Sequence, residues 1–360
     1  MKVLHVLRQL NPGGIECWLD RLFRAWPQST RPEFHFALEE QDFGSLAPGL
    51  HSLGAHLHFC PPPRQSVQSA RSFSSLLQQH GPFDAVHCHN HHASVFHLAI
   101  AAFHGVRLRI SQSHADFRRG PVTRSPLRRG YEQASQVLLQ SLANVKLAVS
   151  TGAAADLFGA NSERVQILPC GTSFEPLLNA PSRREPSRFT LVHVGRLVPE
   201  KNHHFLLLLT AELVALDPAT RLWLIGDGPL RTSLESLARS LGIHSHVTFW
   251  GSRNDIPSLL SAADLFVFPS HSEGLGLAAL ESQAAGLPTL IASHLPQELN
   301  LLPALTRRLA LDLPISEWVN FILEMRTMPH LNRAERQHAL LDSPYSIESN
   351  LRSLTKIYAS

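Results

Sequence analysis

Short apolar runs alternate with amphipathic segments along most of the 360-residue chain. The apolar runs are typical of buried strands, and the segments between them have the spacing of helices. Such alternation predicts parallel sheets covered by helices on both faces, which is the α/β class. A stretch rich in Pro, Ser and Arg at 181–187 interrupts the alternation, which then starts again. The sequence therefore predicts two doubly wound units in tandem, joined by this linker.

The two units are expected at 1–180 and 188–340. In the first, strands are expected at Val3–Leu7, Phe34–Leu38, His56–Phe59, Ala85–His89, Arg107–Ser111, Lys146–Val149 and Val165–Leu168. In the second, they are expected at Phe189–Val194, Arg221–Ile225, Val247–Trp250, Leu265–Pro269 and Pro288–Ser293. Open parallel sheets bind ligands beyond the carboxyl ends of their strands. We therefore expect the ligand site in the cleft between the two sheets.

Charge and cysteine content exclude several classes of protein. A formal net charge of +3 argues against a strongly basic nucleic-acid binder. The four cysteines lie far apart without a CxxC pair, which favours a reduced, cytoplasmic protein over a disulfide framework or a zinc knuckle. We see neither a signal peptide nor an apolar run of transmembrane length. The protein is expected to be soluble, or at most peripheral on a membrane.

The most informative segment follows the expected strand Leu265–Pro269. Glu273 lies in a polar loop, and Gly274 and Gly276 allow a ligand to approach the backbone where the next helix begins. Glu281 falls among alanines and leucines in that helix, an unusual place for an unpaired carboxylate. The alternative makes Glu273 a helix-capping acid and Glu281 a solvated residue. It leaves the glycines unexplained, so we favour a ligand site.

Two cations follow the first strand of the second unit. Arg196 comes directly after Gly195, and Lys201 lies five residues further on. Arg binds oxygen pairs in a bidentate manner and Lys acts as a point charge, so together they suit a diphosphate. The alternative is a pair of ordinary surface cations. Lys201 is one of only four lysines, against 28 arginines, which weakens that alternative.

These segments together resemble the retaining GT-B glycosyltransferases of family 4, also called group 1. The matching stretches are VGRLVPEKNH at 194–203, IGDGPL at 225–230, VTFWG at 247–251, PSHSEGLGLAALE at 269–281, and NPGGIE at 11–16. Each motif is weak alone, but their order along residues 1 to about 295 is that of the family. The first half is most similar to the bacterial exopolysaccharide and lipopolysaccharide branch.

The resemblance implies two Rossmann-like domains, the first binding the acceptor and the second a nucleoside-diphosphate-sugar donor. It also implies that a C-terminal helix at 341–360 crosses back to the first domain. Catalytic roles would fall to Glu273, His114, Arg196 and Lys201. Donor contacts would fall to Gly13, Gly14, Gly195, Gly274, Leu275, Gly276, Glu281 and Phe249. The implied reaction is sugar transfer with retention to a glycan or lipid-linked hydroxyl, with no metal and no cofactor.

Two features of the first unit can also be interpreted without the family. Gly13 and Gly14 join the first strand to a helix, either as a plain turn or as a close approach to phosphate. They are neither a GxGxxG fingerprint nor a P-loop. His87, His89 and His91 alternate along a strand end and share one face. No carboxylate lies in this stretch, so we favour cleft lining over a metal site.

Five arginines crowd the stretch after His114: Arg118, Arg119, Arg124, Arg128 and Arg129. Residues 1–180 carry 16 basic and 12 acidic side chains, and residues 181–360 carry 16 and 17. The excess positive charge thus lies in the first unit. It predicts contact with an anionic membrane surface or a lipid-diphosphate acceptor, on the inner face of the plasma membrane. The alternative is an ordinary solvated helix.

Three other functions remain open at the level of sequence. A GT-B epimerase or a phosphorylase would use the same fold, although a phosphorylase requires a pyridoxal lysine and this chain has few lysines. A non-catalytic subunit that binds a sugar nucleotide is the third. The nature of the sugar, nucleotide and acceptor depends on pocket shape, which no motif here encodes.

Overall fold

The computed structural model describes residues 1–118, 125–181, 183–328, 331–341 and 343–360, with only the backbone of 66, 160 and 161. The described chain forms two compact units. Unit 1 comprises the residues up to Thr172 together with Pro344–Ser360, and unit 2 extends from Ser173 to Ser343.

Unit 1 is built on a seven-stranded sheet in the order β3-β2-β1-β4-β5-β6-β7. Its strands are β1 Lys2–Leu7, β2 Glu33–Leu38, β3 His56–Phe59, β4 Ala85–Cys88, β5 Leu108–Ser113, β6 Val145–Ala148 and β7 Gln166–Ile167. Every neighbouring pair is parallel. A parallel sheet is covered on both faces, so residues on both faces of its central strands are buried. In β1, Val3 and Leu4 are fully buried although they point to opposite faces.

Seven helices cover this sheet. Six connect the strands: α1 Gly14–Ala25, α2 Ala47–Ser52, α3 Ser66–His80, α4 Ser94–Phe103, α5 Pro126–Leu142 and α6 Thr151–Phe158. The seventh, Ile347–Ala359, ends the chain and packs on α1 within unit 1. The Trp18 indole N–H donates to Asn350 Oδ1 at 2.7 Å, which fixes this last helix on α1.

Unit 2 is built on a six-stranded parallel sheet in the order β10-β9-β8-β11-β12-β13. Its strands are β8 Phe189–Val194, β9 Thr220–Ile225, β10 Val247–Gly251, β11 Leu265–Phe268, β12 Thr289–Ala292 and β13 Thr306–Leu309. Its helices are α7 Glu175–Asn179, α8 His203–Leu216, α9 Arg231–Ser240, α10 Ile256–Ala262, α11 Leu277–Ala284, α12 Ile315–Met325 and α13 Arg333–Leu341. In chain order Ile347–Ala359 is therefore α14.

The predicted α/β class is confirmed, with two parallel sheets and helices between the strands. The strand at β4 ends at Cys88, one residue earlier than predicted. Unit 2 begins at Ser173, before the predicted linker at 181–187. Pro181 lies inside unit 2, where its carbonyl accepts from the Ser261 hydroxyl at 2.9 Å. The Pro- and Ser-rich composition thus marks an irregular segment of unit 2 instead of the boundary between units.

Candidate active site

The structure brings together two predicted site residues that are far apart in sequence. Lys201 ends a short 3₁₀ helix after β8, and Glu273 lies in the loop after β11. Their strands are neighbours in the sheet of unit 2, so both loops leave from the same edge. Lys201 Nζ donates to Glu273 Oε1 at 2.5 Å. Both side chains are largely shielded from solvent, which strengthens their attraction.

Backbone and side-chain hydrogen bonds fix the two loops against each other. The His271 N–H donates to the Glu200 carbonyl at 2.8 Å, and Asn202 Nδ2 donates to the Pro269 carbonyl at 3.1 Å. Asn202 adopts a left-handed conformation, with φ of 56°, which Asn tolerates better than most residues. Lys201 Nζ also lies 5.3 Å from the centre of the Phe268 ring, within cation–π range. The Lys201–Glu273 pair is therefore rigidly supported.

Glycine at 195 is required by close packing. A Cβ there would lie 3.1 Å from His193 Nε2 and 3.5 Å from Lys201 Cδ. Gly226 packs against the Gly195 carbonyl, and its φ of 129° favours glycine. The two loops after β8 and β9 therefore approach each other backbone to backbone, beside Lys201.

The helix after Glu273 begins as the glycine pattern predicts. Gly276 is the N-cap of α11, with φ of 96°, and a Cβ there would lie 3.0 Å from Phe268 Cε1. The free N–H groups of the first turn of α11 therefore lie close to Gly274 in sequence, where an anion or hydroxyl could accept from them. Leu275 is buried, so its predicted contact with a donor is through its backbone at most.

Glu281 lies inside α11 and is 9% exposed. The solvated-helix alternative for Glu281 is therefore wrong. A buried carboxylate in a mostly apolar helix needs polar partners to offset its lost hydration. This is the environment expected of a carboxylate that binds a ligand hydroxyl or anchors the site.

Arg196 and Lys201 differ in their surroundings. Arg196 is exposed, and no hydrogen bond or ion pair reaches its side chain from the described part of the chain. Its five N–H donors are thus available to a ligand. Lys201 keeps two N–H donors after its bond to Glu273. Phe249 is partly buried and packs against the apolar core of unit 2, so packing alone accounts for that side chain.

A cavity of about 440 Å³ lies in unit 2 beside these loops. Residues of α8 and α9 form most of its lining, together with Asn202 and His271. Neither Lys201 nor Glu273 lines it. The polar pair therefore lies on the loop surface next to this cavity.

In unit 1, Gly13 and Gly14 form the start of α1, after β1. Gly13 adopts extended backbone as the N-cap, and a Cβ there would meet the Glu16 carboxylate. Gly14 has nothing within 4 Å of the place a Cβ would occupy. The space at Gly14 is therefore open, as a close approach of a ligand to the backbone requires.

His114 follows β5 and belongs to a chain of hydrogen bonds. Its Nε2 lies 2.9 Å from His89 Nδ1, whose Nε2 in turn lies 2.9 Å from His5 Nδ1. On its other side, Nδ1 lies 3.5 Å from the Cys170 Sγ. Burial lowers the pKa of His114 to about 3, and nearby histidines lower it further, so the ring is neutral. Both nitrogens are occupied, so a sugar hydroxyl could bond to one only by displacing His89 or Cys170.

His87 and His89 share one face, as predicted, with ring centroids 4.3 Å apart, but the expectation that they line a cleft is wrong. His87 and His89 are buried inside unit 1, because β4 lies in the middle of the sheet. His87 Nε2 donates to Gln112 Oε1 at 2.9 Å, so its Nδ1 accepts from the Tyr358 hydroxyl, also at 2.9 Å. His91 lies beyond the strand, and its Nε2 is 3.3 Å from Asp156 Oδ2.

The arginine-rich stretch is less basic than its sequence suggests. Arg118 forms a bidentate pair with Asp116, at 2.9 and 2.7 Å, and Arg128 donates to Glu132 at 3.0 Å. Arg129 is exposed on α5. Arg119 and Arg124 lie outside the described residues. Two of the three described charges thus have carboxylate partners within unit 1.

Sequence reasoning missed several residues that support these sites. His5 and Tyr358 join the histidine network, and Phe268 and Asn202 hold Lys201 in place. The signal for His5 is the parallel register of β1 and β4, in which His5 pairs with His87. That register was not readable from periodicity, because β1 is buried on both faces.

With the geometry established, the family can be stated. The model of the group 1 glycosyl transferases matches residues 177–298, which contain Lys201, Glu273 and Glu281. "Putative glycosyltransferase EpsF" of Bacillus subtilis (strain 168) is 30% identical over 380 residues, covering 99% of this chain and 96% of its own. The chain therefore belongs to the group 1 glycosyltransferases, which confirms the family part of the resemblance.

Solved structures support the same fold. The crystal structure of Anabaena Alr3699/HepE in complex with UDP-glucose has a TM-score of 0.78 at 19% identity, covering 100% of this chain and 99% of that one. WaaG, described as a glycosyltransferase involved in lipopolysaccharide biosynthesis, has a TM-score of 0.74 at 20% identity. The match covers 99% of this chain and 100% of the WaaG chain. Both likenesses show the GT-B fold predicted from the motifs.

The membrane question has one structural finding. None of the described helices combines the length and the apolarity that crossing a bilayer requires.

Proposed function

We propose that this glycosyltransferase transfers a sugar, with retention at the anomeric carbon, from a nucleoside-diphosphate-sugar to a hydroxyl of a glycan or lipid-linked saccharide. The contact between Lys201 and Glu273 carries the proposal. A cation that would suit a diphosphate and a carboxylate that would suit sugar hydroxyls thus meet at one edge of the unit 2 sheet. The HepE structure with UDP-glucose supports a donor of this class, and the family 4 resemblance supports retention.

The residues of unit 2 divide the work of holding the donor. Lys201 and the exposed Arg196 would bind the diphosphate oxygens and stabilise the charge that develops as the sugar departs. Glu273 and the backbone at Gly274 and Gly276 would accept from and donate to the sugar hydroxyls. Glu281, buried in α11, would bind the ribose. Gly195 keeps the backbone beside Lys201 free of side-chain atoms.

The chemical step balances without a metal or a cofactor. The bond between the anomeric carbon and the diphosphate oxygen breaks, and the acceptor oxygen forms a bond to the same face of that carbon. The proton of the acceptor hydroxyl passes to the departing phosphate oxygen. Lys201 and Arg196 take the place of a metal ion at the leaving group, because two cations neutralise the diphosphate charge.

Residues of unit 1 would bind the acceptor and would also contribute to donor binding. The open space at Gly14 suits an approach of phosphate or acceptor to the start of α1. His114 would contact the donor sugar through its ring, since both nitrogens already have partners. His89 holds the orientation of that ring.

One face of α5 supports a lipid-linked acceptor, because its exposed apolar side chains would suit contact with a membrane. Leu127, Tyr131 and Leu138 lie within about 40° of one another around the helix and are all exposed. Arg129 on the same helix is exposed as well. An exposed apolar face on a helix that also carries arginines suits the surface of an anionic membrane. We propose peripheral association with the cytoplasmic leaflet through this face, with Arg118 and Arg128 playing the smaller part because of their carboxylate partners.

A panel of radiolabelled nucleoside-diphosphate-sugars tests the proposal directly. The full chain is incubated with each donor and with polyprenyl-diphosphate-linked saccharides, in the presence of EDTA. We expect one donor to give a labelled lipid-linked product with the anomeric configuration of the donor. Inversion of configuration would refute retention, and dependence on added metal would refute the metal-free step. Conversion of a donor to its epimer without transfer would favour the epimerase. Release of sugar phosphate from the saccharide when inorganic phosphate is added, without use of any donor, would favour the phosphorylase.

A further inference from the structure

A second polar cluster lies in unit 1, where the parallel strands begin and far along the sequence from the donor loops. It joins the starts of β2 and β3 to the end of α3. Five side chains meet there: Glu33, His35, His56, His58 and His80. The proposed transfer reaction uses none of them. Four imidazoles and a carboxylate are the donor types that first-row transition metals prefer.

The register of two parallel strands creates the cluster. His35 of β2 pairs with His56 of the edge strand β3, and their rings stack with centroids 4.4 Å apart. Side chains two residues apart on a strand share a face. Glu33 therefore joins His35, and His58 joins His56, on the same side of the sheet. Three ligand atoms, one each from Glu33, His35 and His56, lie within 4.8 Å of one another.

The distances within this triad fit a tetrahedral ion. Glu33 Oε1 lies 2.9 Å from His35 Nε2 and 3.7 Å from His56 Nε2. Ligands at about 2.0–2.1 Å from a tetrahedral zinc lie about 3.3 Å from one another. The two observed separations bracket that value. Small rotations of exposed Glu33 and His56 would equalise them.

The surroundings set the protonation that a metal requires. In the metal-free chain neutral His35 donates from Nε2 to Glu33, so its Nδ1, 2.9 Å from His58 Nε2, accepts. A metal at Nε2 would move the proton to Nδ1, which could then donate to His58. Such an outer partner fixes the tautomer of a metal-binding histidine.

One cation already competes for Glu33. Lys2 Nζ lies 3.3 Å from Glu33 Oε1. It also donates to the His80 carbonyl at 3.2 Å, so it has another partner if the carboxylate turns to a metal. Lys2 therefore lowers the affinity of the site for a metal but does not prevent metal binding.

We propose that Glu33, His35 and His56 bind one first-row divalent cation, Zn²⁺ foremost, and that the ion joins the edge strand β3 to β2. The three ligands leave a fourth position open to solvent beside the exposed side chains of Glu33 and His56. The ion would stabilise the free edge of the unit 1 sheet and takes no part in sugar transfer.

The buried trio His5, His87 and His89 is less suited to a metal. Its ligand atoms also lie within 4.8 Å of one another. However, His87 uses both nitrogens on Gln112 and Tyr358, and His5 and His89 bond to each other. An ion there would break these bonds in a fully buried place.

Calorimetric titration of the tag-free, EDTA-treated full chain with ZnCl₂ tests the proposal. Wild type, His56→Gln, Glu33→Gln and the control His244→Gln are compared, since His56 and His244 are both exposed. Titration with Co²⁺ reports four-coordinate binding through its visible absorption bands. Thermal unfolding with and without Zn²⁺ reports the stabilisation, and unfolding without metal verifies that each variant is folded.

We expect one Zn²⁺ per chain at this site and a higher Tm with the metal. His56→Gln and Glu33→Gln should weaken the affinity at least about tenfold and remove the gain in Tm, while His244→Gln leaves both unchanged. Absence of Zn²⁺ binding by the wild type would overturn the proposal. Binding that neither His56→Gln nor Glu33→Gln weakens would also overturn it, and would point to the buried trio.

Discussion

The polar centres of the two units are built on opposite principles. In unit 2, Lys201 and Glu273 face each other as charges at the edge of the sheet. In unit 1, His114, His89 and His5 form a buried chain of neutral rings. The first centre carries the charges that the proposed diphosphate donor requires, and the second has fixed hydrogen bonds without charge. In the proposed function, the charged groups that stabilise the reacting donor therefore lie in unit 2, whereas unit 1 holds neutral side chains in a fixed arrangement.

The largest expected effect is on the charged centre. Glu273→Gln and Lys201→Met should each reduce sugar transfer about 10²–10³-fold, because each removes charge aimed at the reacting diphosphate or its sugar. The double variant should be about as inactive as either single variant, since the two residues act together. Transfer rates of the folded variants with the donor found in the panel would measure this.

Arg231 and Glu235 provide the matched control for that pair. They form a partly exposed pair on α9, with Arg231 Nε 3.0 Å from Glu235 Oε1. Arg231→Met and Glu235→Gln should change transfer less than about threefold, because surface pairs contribute little. Retained transfer in folded Glu273→Gln would contradict the charged centre, and equal losses in the control would show a general effect of charge.

The neutral centre should instead make the folding stability of the protein fall at acidic pH. Burial lowers the pKa of His87 to about 3, as it does for His114, whereas an unfolded histidine titrates near 6.5. Below pH 6.5 the unfolded chain therefore binds protons that the folded chain does not, and stability falls as the pH drops from 6.5 toward 3. Each such histidine should cost about 2 kcal/mol between pH 7 and pH 5. Urea unfolding at the two pH values measures it.

His87→Gln should reduce the loss of stability between pH 7 and pH 5 by the contribution of one histidine. This holds whatever the variant does to stability at pH 7. His244→Gln, at an exposed position, should leave the loss unchanged. An unchanged loss in His87→Gln would mean that the network takes up protons while folded, and the contrast between the units would disappear.

The smallest expected effect concerns the outer surfaces of the units. Leu127→Ser together with Arg129→Glu should weaken binding to vesicles rich in anionic lipid by about tenfold, because an apolar anchor and a cation are lost. Leu216→Ser is the control, since Leu216 is 65% exposed on α8 of unit 2. Sedimentation with vesicles measures the binding. If all variants bind the vesicles equally, the proposal that α5 of unit 1 contacts the membrane is wrong.

Much of unit 2 was predictable from its sequence. The strand Phe189–Val194 was predicted with the bounds observed. The loop with Glu273 was recognisable because glycines and a carboxylate follow an apolar strand directly. In each case the information is local: a run of residues determines an element and the turn that ends it.

The errors came from contacts between distant segments. The boundary at 181–187 was misplaced because the hydrogen bond from Ser261 to Pro181 is invisible in composition. His87 and His89 were taken for cleft lining because periodicity cannot distinguish a central strand from one near a surface. The error at the arginine-rich stretch is different, because its ion pairs are local. Arg118 pairs with Asp116 and Arg128 with Glu132, two and four residues away, and a count of the arginines alone left these carboxylates out.

The sequence by itself determined the α/β class, the two-unit plan and the residue types of the donor loops, because strand and helix periods and glycine positions are local properties. Only the tertiary structure decided which of those residues meet. Lys201 and Glu273 are 72 residues apart and become neighbours because β8 and β11 pair. His35 and His56 meet because β2 and β3 pair in one register. Strand pairing brings distant residues together, and no local pattern in the chain specifies it.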